Sequence, residues 1–187
     1  MSSRIQKLAA AYRQHLTVPW QVGLAAIQRV VFAVYDKADE LRLRANVEEF
    51  ALATSQAGKH WLLIDLTNAF PDWMMEQKYR DAYFESPEDL AGYPTGELTG
   101  FVSDLIARLK TEIAAQSGPD TVVALLGVGT LFGLARVSTV VEGIKESITG
   151  RLLVFFPGEH HPEHHSYRLL DARDGWNYLA VPLLAKD

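Results

Sequence analysis

Apolar residues in this chain alternate between helical spacing and short unbroken runs, and the switches between the two mark its elements. Ile5, Leu8, Ala9, Tyr12 and Leu16 recur every three or four positions, predicting an amphipathic helix that Thr17-Val18-Pro19 ends. Val30 to Tyr35 is continuously apolar, as expected of a central strand covered on both faces. Asp39 is placed to cap a following helix with Leu43, Val47, Phe50 and Ala51 on its core face and Gly58 at its end. A second apolar run, Trp61 to Ile64, comes next, and strand, helix, strand implies parallel pairing.

Residues 68–96 break this rhythm. They are acidic and carry Pro71, Pro87 and Pro94, so they read as a loop-rich insertion with one short helix around Trp73 to Tyr83. Leu98, Phe101, Val102, Leu105, Leu109 and Ile113 form the strongest helical stripe, closed by Ser117-Gly118-Pro119. Thr121 to Leu126 is a third strand, followed by a glycine turn. Val137, Val140, Val141, Ile144 and Ile148 mark another helix, which Gly150 ends before a fourth strand, Leu152 to Phe156. The alternation predicts an α/β fold, a three-layer αβα arrangement around a mainly parallel sheet. Tyr167 to Leu170 and Trp176 to Val181 flank Arg173-Asp174-Gly175, a turn signal, and predict an antiparallel C-terminal addition at the sheet edge. We read residues 1–187 as a single domain, with no internal repeat.

Composition narrows the chemistry. Hydrophobic residues make up 48% and charged residues 22% of the chain, ordinary globular values that exclude a disordered or low-complexity protein. No apolar run approaches the roughly 18 residues of a membrane helix, and Gln and Arg interrupt the first residues where a signal peptide would be apolar, so the cytoplasm is expected. Without cysteine there is no disulfide framework, thiolate metal site or Cys nucleophile. A net charge of -5 argues against a protein that wraps nucleic acid. That charge is uneven: residues 1–46 hold seven Lys/Arg against three acids, whereas residues 65–104 hold nine acids against two bases. Such a dipolar surface suits a charged protein partner, and equally suits two solvated helical faces.

Gly127-Val128-Gly129 to Gly133 follows a strand and is expected to open a helix, the place of a dinucleotide fingerprint. The third glycine comes one residue late, and the next strand ends in Phe-Phe-Pro-Gly rather than in an acid for a ribose hydroxyl; a tight turn needing small residues is the plainer reading. A P-loop is absent, and no Ser or Thr has a nucleophile-elbow context. His160, His161, His164 and His165 contain the spacing His160-x-x-Glu163-His164, but Pro162 prevents the helix a catalytic zinc site needs. A divalent metal at these imidazoles and a solvated loop both remain open, and no cofactor is expected. Asp36 and Asp65 should stand at the C-terminal ends of the first two strands, in a crevice shared with Arg136, where carboxylates could hold magnesium, serve acid–base chemistry, or simply cap helices and pair. Trp73, Tyr79, Tyr83 and Phe84 are candidate anchors for a partner or, alternatively, packing of the insertion onto its own sheet.

Several short motifs occur in order: Val34-Tyr35-Asp36, Asp39-Glu40-Leu41 with Arg44, Ile64-Asp65-Leu66, Gly127-Val128-Gly129 with Phe132 and Arg136, Leu153 to Gly158, Tyr167 to Leu170, and Asn177-Tyr178. Together they resemble the B proteins of the BREX (bacteriophage exclusion) systems, the BrxB family, over nearly the whole chain. The chain departs from the family pattern at Gly133, where a proline is usual, and at the His cluster, which replaces a short loop bearing tyrosine or aspartate. The resemblance implies a non-catalytic component of an anti-phage system that associates with the PglZ-type protein of the alkaline-phosphatase superfamily and bridges it to the methyltransferase. An adaptor is therefore the leading expectation; the alternative is a nucleotide- or metal-binding enzyme using Asp36, Asp65, Gly127, Gly129 and Arg136. Direct DNA binding is the least expected, and self-association is left open.

Overall fold

A computed structural model describes residues 3–21, 23–87, 98–164, 166–170, 172–175 and 180–185. The first helix, α1 (Arg4–Leu16), starts at Ser3, whose hydroxyl accepts from the Gln6 amide at 3.2 Å while the Gln6 side chain accepts from Ser3 N at 2.9 Å. This reciprocal cap satisfies two donors that the first helical turn would otherwise leave open. Ile5, Leu8, Ala9 and Tyr12 are buried, as their spacing requires.

Strand β1 (Val30–Tyr35) is buried at every position. Two short helices follow, α2 (Glu40–Ala45) and α3 (Val47–Gln56). The single helix expected here breaks at Asn46, whose side-chain amide donates to the Arg42 carbonyl at 2.6 Å. Nor does Asp39 cap it. Asp36 does the local capping, accepting from Ala38 N at 2.8 Å, while Asp39 is buried against Arg42 at 2.9 Å and Arg4 at 3.5 Å. Gly58, at φ 72°, ends α3 before β2 (His60–Asp65).

Within the insertion, the one short helix expected is two, α4 (Ala69–Glu76) and α5 (Arg80–Glu85), separated at Gln77; residues 88–97 lie outside the described residues. Helix α6 (Thr99–Gln116) leads to β3 (Thr121–Leu126), and α7 (Val137–Ile144) to β4 (Arg151–His161). The parallel sheet runs in the order β2-β3-β4-β1-β7, with β7 (Val181–Leu183) beside β1. Helices α1 and α3 cover one face, against Val31, Ala33, Tyr35, Leu153 and Phe155. Helices α6 and α7 cover the other, against Val30, Phe32, Val34, Val154 and Phe156. The expected three-layer αβα fold is thus found.

Beyond the parallel sheet, β4 continues five residues further than its apolar run and pairs antiparallel with β5 (Ser166–Leu169), which pairs with β6 (Ala172–Gly175). Gly158 is required where this ladder starts, because a Cβ there would lie 1.9 Å from the Arg168 carbonyl oxygen. The antiparallel addition is present, but its turn is not Arg173-Asp174-Gly175. Those residues extend β6, and the reversal comes at Leu170, which takes φ 54°. Of the other expected strand, residues 176–179 lie outside the described residues, and Val181 opens a parallel rather than an antiparallel strand.

Candidate functional site

The chain leaves β1 toward the face covered by α3 and leaves β3 toward the face covered by α7. Where connections part to opposite faces in this way, a crevice opens above the C-terminal ends of the strands. Here it is a cleft of about 560 Å³ lined by Lys37, Glu40, Arg44, Thr67, Gly127, Gly129, Thr130, Pro157 and Leu170.

One hydrogen-bonded network forms its charged wall. Asp65, the last residue of β2, accepts from the Thr67 amide at 2.9 Å and from the Thr67 hydroxyl, and pairs with Arg44 Nη1 at 3.1 Å. Arg44 also donates to Glu40 Oε1 at 2.7 Å and to the Thr67 hydroxyl at 2.8 Å, and the Tyr35 hydroxyl donates to Glu40 Oε2. Burial alone would raise the Asp65 pKa, but the Thr67 hydroxyl and amide and the Arg44 charge outweigh it and hold the carboxyl below its ordinary value. Burial, and then the Glu40 carboxylate, push the Tyr35 phenol up and keep it neutral. Arg44 is held above the usual arginine value: burial opposes this, and Glu40 and Asp65 overcome it. Asp65 is therefore ionised, and both it and Glu40 are already occupied by Arg44, which makes them poor general bases.

The glycine turn serves this wall. Gly127 sits at φ 76°, and a Cβ there would fall 2.8 Å from both Asp65 Oδ1 and Thr67 Oγ1. Gly129 packs on Pro157, 3.2 Å from its Cγ to an added Cβ. Thr130 stitches the turn by donating to the Gly127 carbonyl at 2.8 Å and the Leu66 carbonyl at 3.1 Å. Contrary to expectation the turn does not open a helix. It closes as one 3-10 turn, Val128–Leu131, and α7 begins only at Val137, so no helix N-terminus faces a phosphate there.

The crevice expected to join Asp36, Asp65 and Arg136 is not formed as such. Asp36 lines a neighbouring cleft of about 430 Å³ with Tyr35, Lys37, Glu159 and His160, and pairs with Arg4 at 3.5 Å. Arg136 stands at the start of α7 and lines neither cleft. Arg44 is the cation that meets Asp65 instead. Its partnership with Glu40 was readable as an i, i+4 pair, whereas its reach to Asp65 and Thr67 required the fold.

The histidines do not form the expected loop at their start, since His160 and His161 belong to β4. Consecutive strand residues face opposite ways. His160 accordingly packs on Tyr167 with its ring tilted and the centroids 4.8 Å apart, while His161 Nε2 lies 3.4 Å from Glu159 Oε2. Among the described residues no group of three or more His, Asp or Glu could hold a metal; His165 lies outside them, and so does the His164 side chain.

The aromatic candidates divide. Trp73 packs against Phe70 and Phe101, 6.1 and 5.6 Å away, and donates its Nε1–H to Asp104 at 2.8 Å. Tyr83 is half-buried. Tyr79 and Phe84 are 64% and 65% exposed, and Met75 beside them on the insertion is 59% exposed, a residue that helical spacing alone did not single out. Among the described residues no helix is long and apolar enough to cross a membrane. Compared with known proteins, the chain matches no family model, and neither a curated protein nor a solved structure shows significant similarity to it.

Proposed function

We propose that this protein is a non-catalytic adaptor of a BREX-type anti-phage system, acting in the cytoplasm, where it docks a PglZ-type protein and bridges it to the methyltransferase. The observation that carries the docking reading is the pair of exposed aromatics, Tyr79 in the turn between α4 and α5 and Phe84 on α5, beside the exposed Asp72, Glu76, Asp81 and Glu85 of the two helices. Exposed aromatic anchors inside a polar rim are the anatomy of a transient protein interface. The assignment to a BREX-type system is supported by the ordered motifs from Val34 to Tyr178. The occupied carboxylates of the C-terminal rim support a binding rather than a catalytic role.

Pull-down of the PglZ-type protein from the same genome tests the reading. Capture by the wild-type chain is expected, and the double variant Tyr79→Ser/Phe84→Ser should weaken it by about tenfold or more. Undiminished capture by that variant would move the docking surface elsewhere, and no capture at all would sink the adaptor role.

The 560 Å³ cleft at the sheet's switch point favours a second reading, a nucleotide- or metal-binding enzyme. Calorimetry with ATP, NAD and divalent metals separates the two. Micromolar binding abolished by Arg44→Met would favour the second.

A further inference from the structure

At the opposite, N-terminal rim of the sheet lies a larger cleft of about 690 Å³. Four parallel strands start there, and a charged residue stands at each start: Arg29 before β1, Lys59 before β2, Asp120 before β3 and Arg151 opening β4. The segment after α1 brings Trp20 across them. Lys59 Nζ lies 4.4 Å and the Arg151 guanidinium 4.7 Å from the centre of its ring.

The charges do not balance. Lys59 is paired with Asp120 at 2.5 Å. Arg29 donates to the carbonyls of Leu24 and Ile148, and Arg151 donates to that of Gly150. A guanidinium carries five N–H donors, so both arginines keep several without an acceptor among the described residues, and neither has a carboxylate partner among them. Contact with Trp20 orients two of the cations but neutralises neither. Three cations against one carboxylate leave a net of two positive charges in a half-buried cleft. Two like charges are costly to hold together in such a place without a counter-ion. Burial, and behind it the Arg29 charge, hold the Arg151 guanidinium below the usual arginine range, as expected of a site missing its anion.

We infer that this cleft binds the phosphoryl group of a small molecule, with Arg29 and Arg151 as its hydrogen-bonding fork and Lys59 as a point charge. A phosphate dianion matches the excess charge, and guanidinium forks match its oxygens. The volume suits a ligand of nucleotide size.

The test titrates the full chain, at constant chloride, with inorganic phosphate, pyrophosphate, ADP, acetate and a short DNA duplex. Heat is followed by calorimetry and the Trp20 indole N–H by NMR, its resonance identified through Trp20→Phe. Saturable binding of phosphate, pyrophosphate or ADP at millimolar concentration or below is expected, without a matching response to acetate; tighter binding of ADP than of phosphate would make the source a nucleotide. Arg151→Gln should weaken binding by about tenfold. Asp120→Asn, which removes the competing carboxylate, should strengthen it, an outcome that a misfolded variant would not give. The inference is overturned by no saturable response to any phosphate, by an equal response to acetate, by unchanged affinity in Arg151→Gln, or by a response to duplex DNA alone.

Discussion

Gly127 holds φ 76° with the Asp65 carboxylate and the Thr67 hydroxyl standing where a side chain would begin, so alanine there meets backbone strain and collision together. Gly133 has a similar φ of 78° but open space around it. Gly127→Ala should therefore lower stability by about 2–4 kcal/mol, and Gly133→Ala by only about 1–2 kcal/mol, in denaturant unfolding followed by circular dichroism. Equal losses would show that strain alone matters at both positions. Tyr12 provides a second test. Its hydroxyl is buried 2.7 Å from the Thr54 hydroxyl, which itself donates to the Phe50 carbonyl at 2.8 Å. Tyr12→Phe keeps the ring and the second bond, and should cost about 1 kcal/mol. Burial pushes the Tyr12 pKa from 10.0 to about 12, with the Thr54 bond opposing it. A raised folded pKa means that the stabilisation is complete below pH 10 and is lost as pH rises toward 12. Between those limits the stability of Tyr12→Phe should fall less steeply with pH than that of the wild type.

At the scale of elements, Arg44 ties α2 to the end of β2 through Glu40, Asp65 and Thr67. Arg44→Met preserves much of the stem but leaves two carboxylates without their cation, and should destabilise by about 1–2 kcal/mol. The sign with pH follows from Asp65, whose folded pKa lies below 3.8. Its stabilisation is present above that value and is lost as pH falls through the lower folded pKa. Acid unfolding of Arg44→Met should accordingly show a shallower dependence on pH below 3.8. A parallel pair of curves for wild type and variant would show that Arg44 does not set the Asp65 pKa. The elements themselves were mostly legible. Val30 to Tyr35 and Thr121 to Leu126 are strands with the bounds their apolar runs suggest, because continuous burial needs no knowledge of the partner. The split between α2 and α3 was hidden, since Leu43, Val47 and Phe50 keep one helical stripe across Asn46. The turn at Leu170 was hidden for another reason: an ordinary leucine occupies the left-handed conformation, while Asp174-Gly175 carries the turn signal inside a strand.

Across the whole molecule, packing of the insertion and its proposed docking surface are separable by mutation. Trp73→Ala removes a packed ring and its bond to Asp104, and should cost about 3–5 kcal/mol of stability. Tyr79→Ser and Phe84→Ser touch exposed side chains and should change stability by no more than about 0.5 kcal/mol each, while weakening capture of the partner. Thermal unfolding of the three variants beside the pull-down distinguishes a folding defect from a lost interface. Charge separates the docking surface from the proposed phosphate site: the insertion is acidic, whereas the cleft at the N-terminal rim carries Arg29, Lys59 and Arg151. An acidic partner segment and a phosphorylated small molecule would thus be directed away from the insertion.

Local periodicity determined which residues form helices and strands, which face of each is buried, and that a parallel sheet lies between two helical layers, because these depend on neighbours within a few positions along the chain. Strand order is a different matter. Only the tertiary structure decided that β4 stands between β3 and β1, that Arg44 rather than Arg136 meets Asp65, and that four separate strand starts gather three cations in the cleft that Trp20 lines. Such encounters join residues 21 to 119 positions apart, and packing two helical layers onto one sheet, which spacing along the chain does not encode, brings them together.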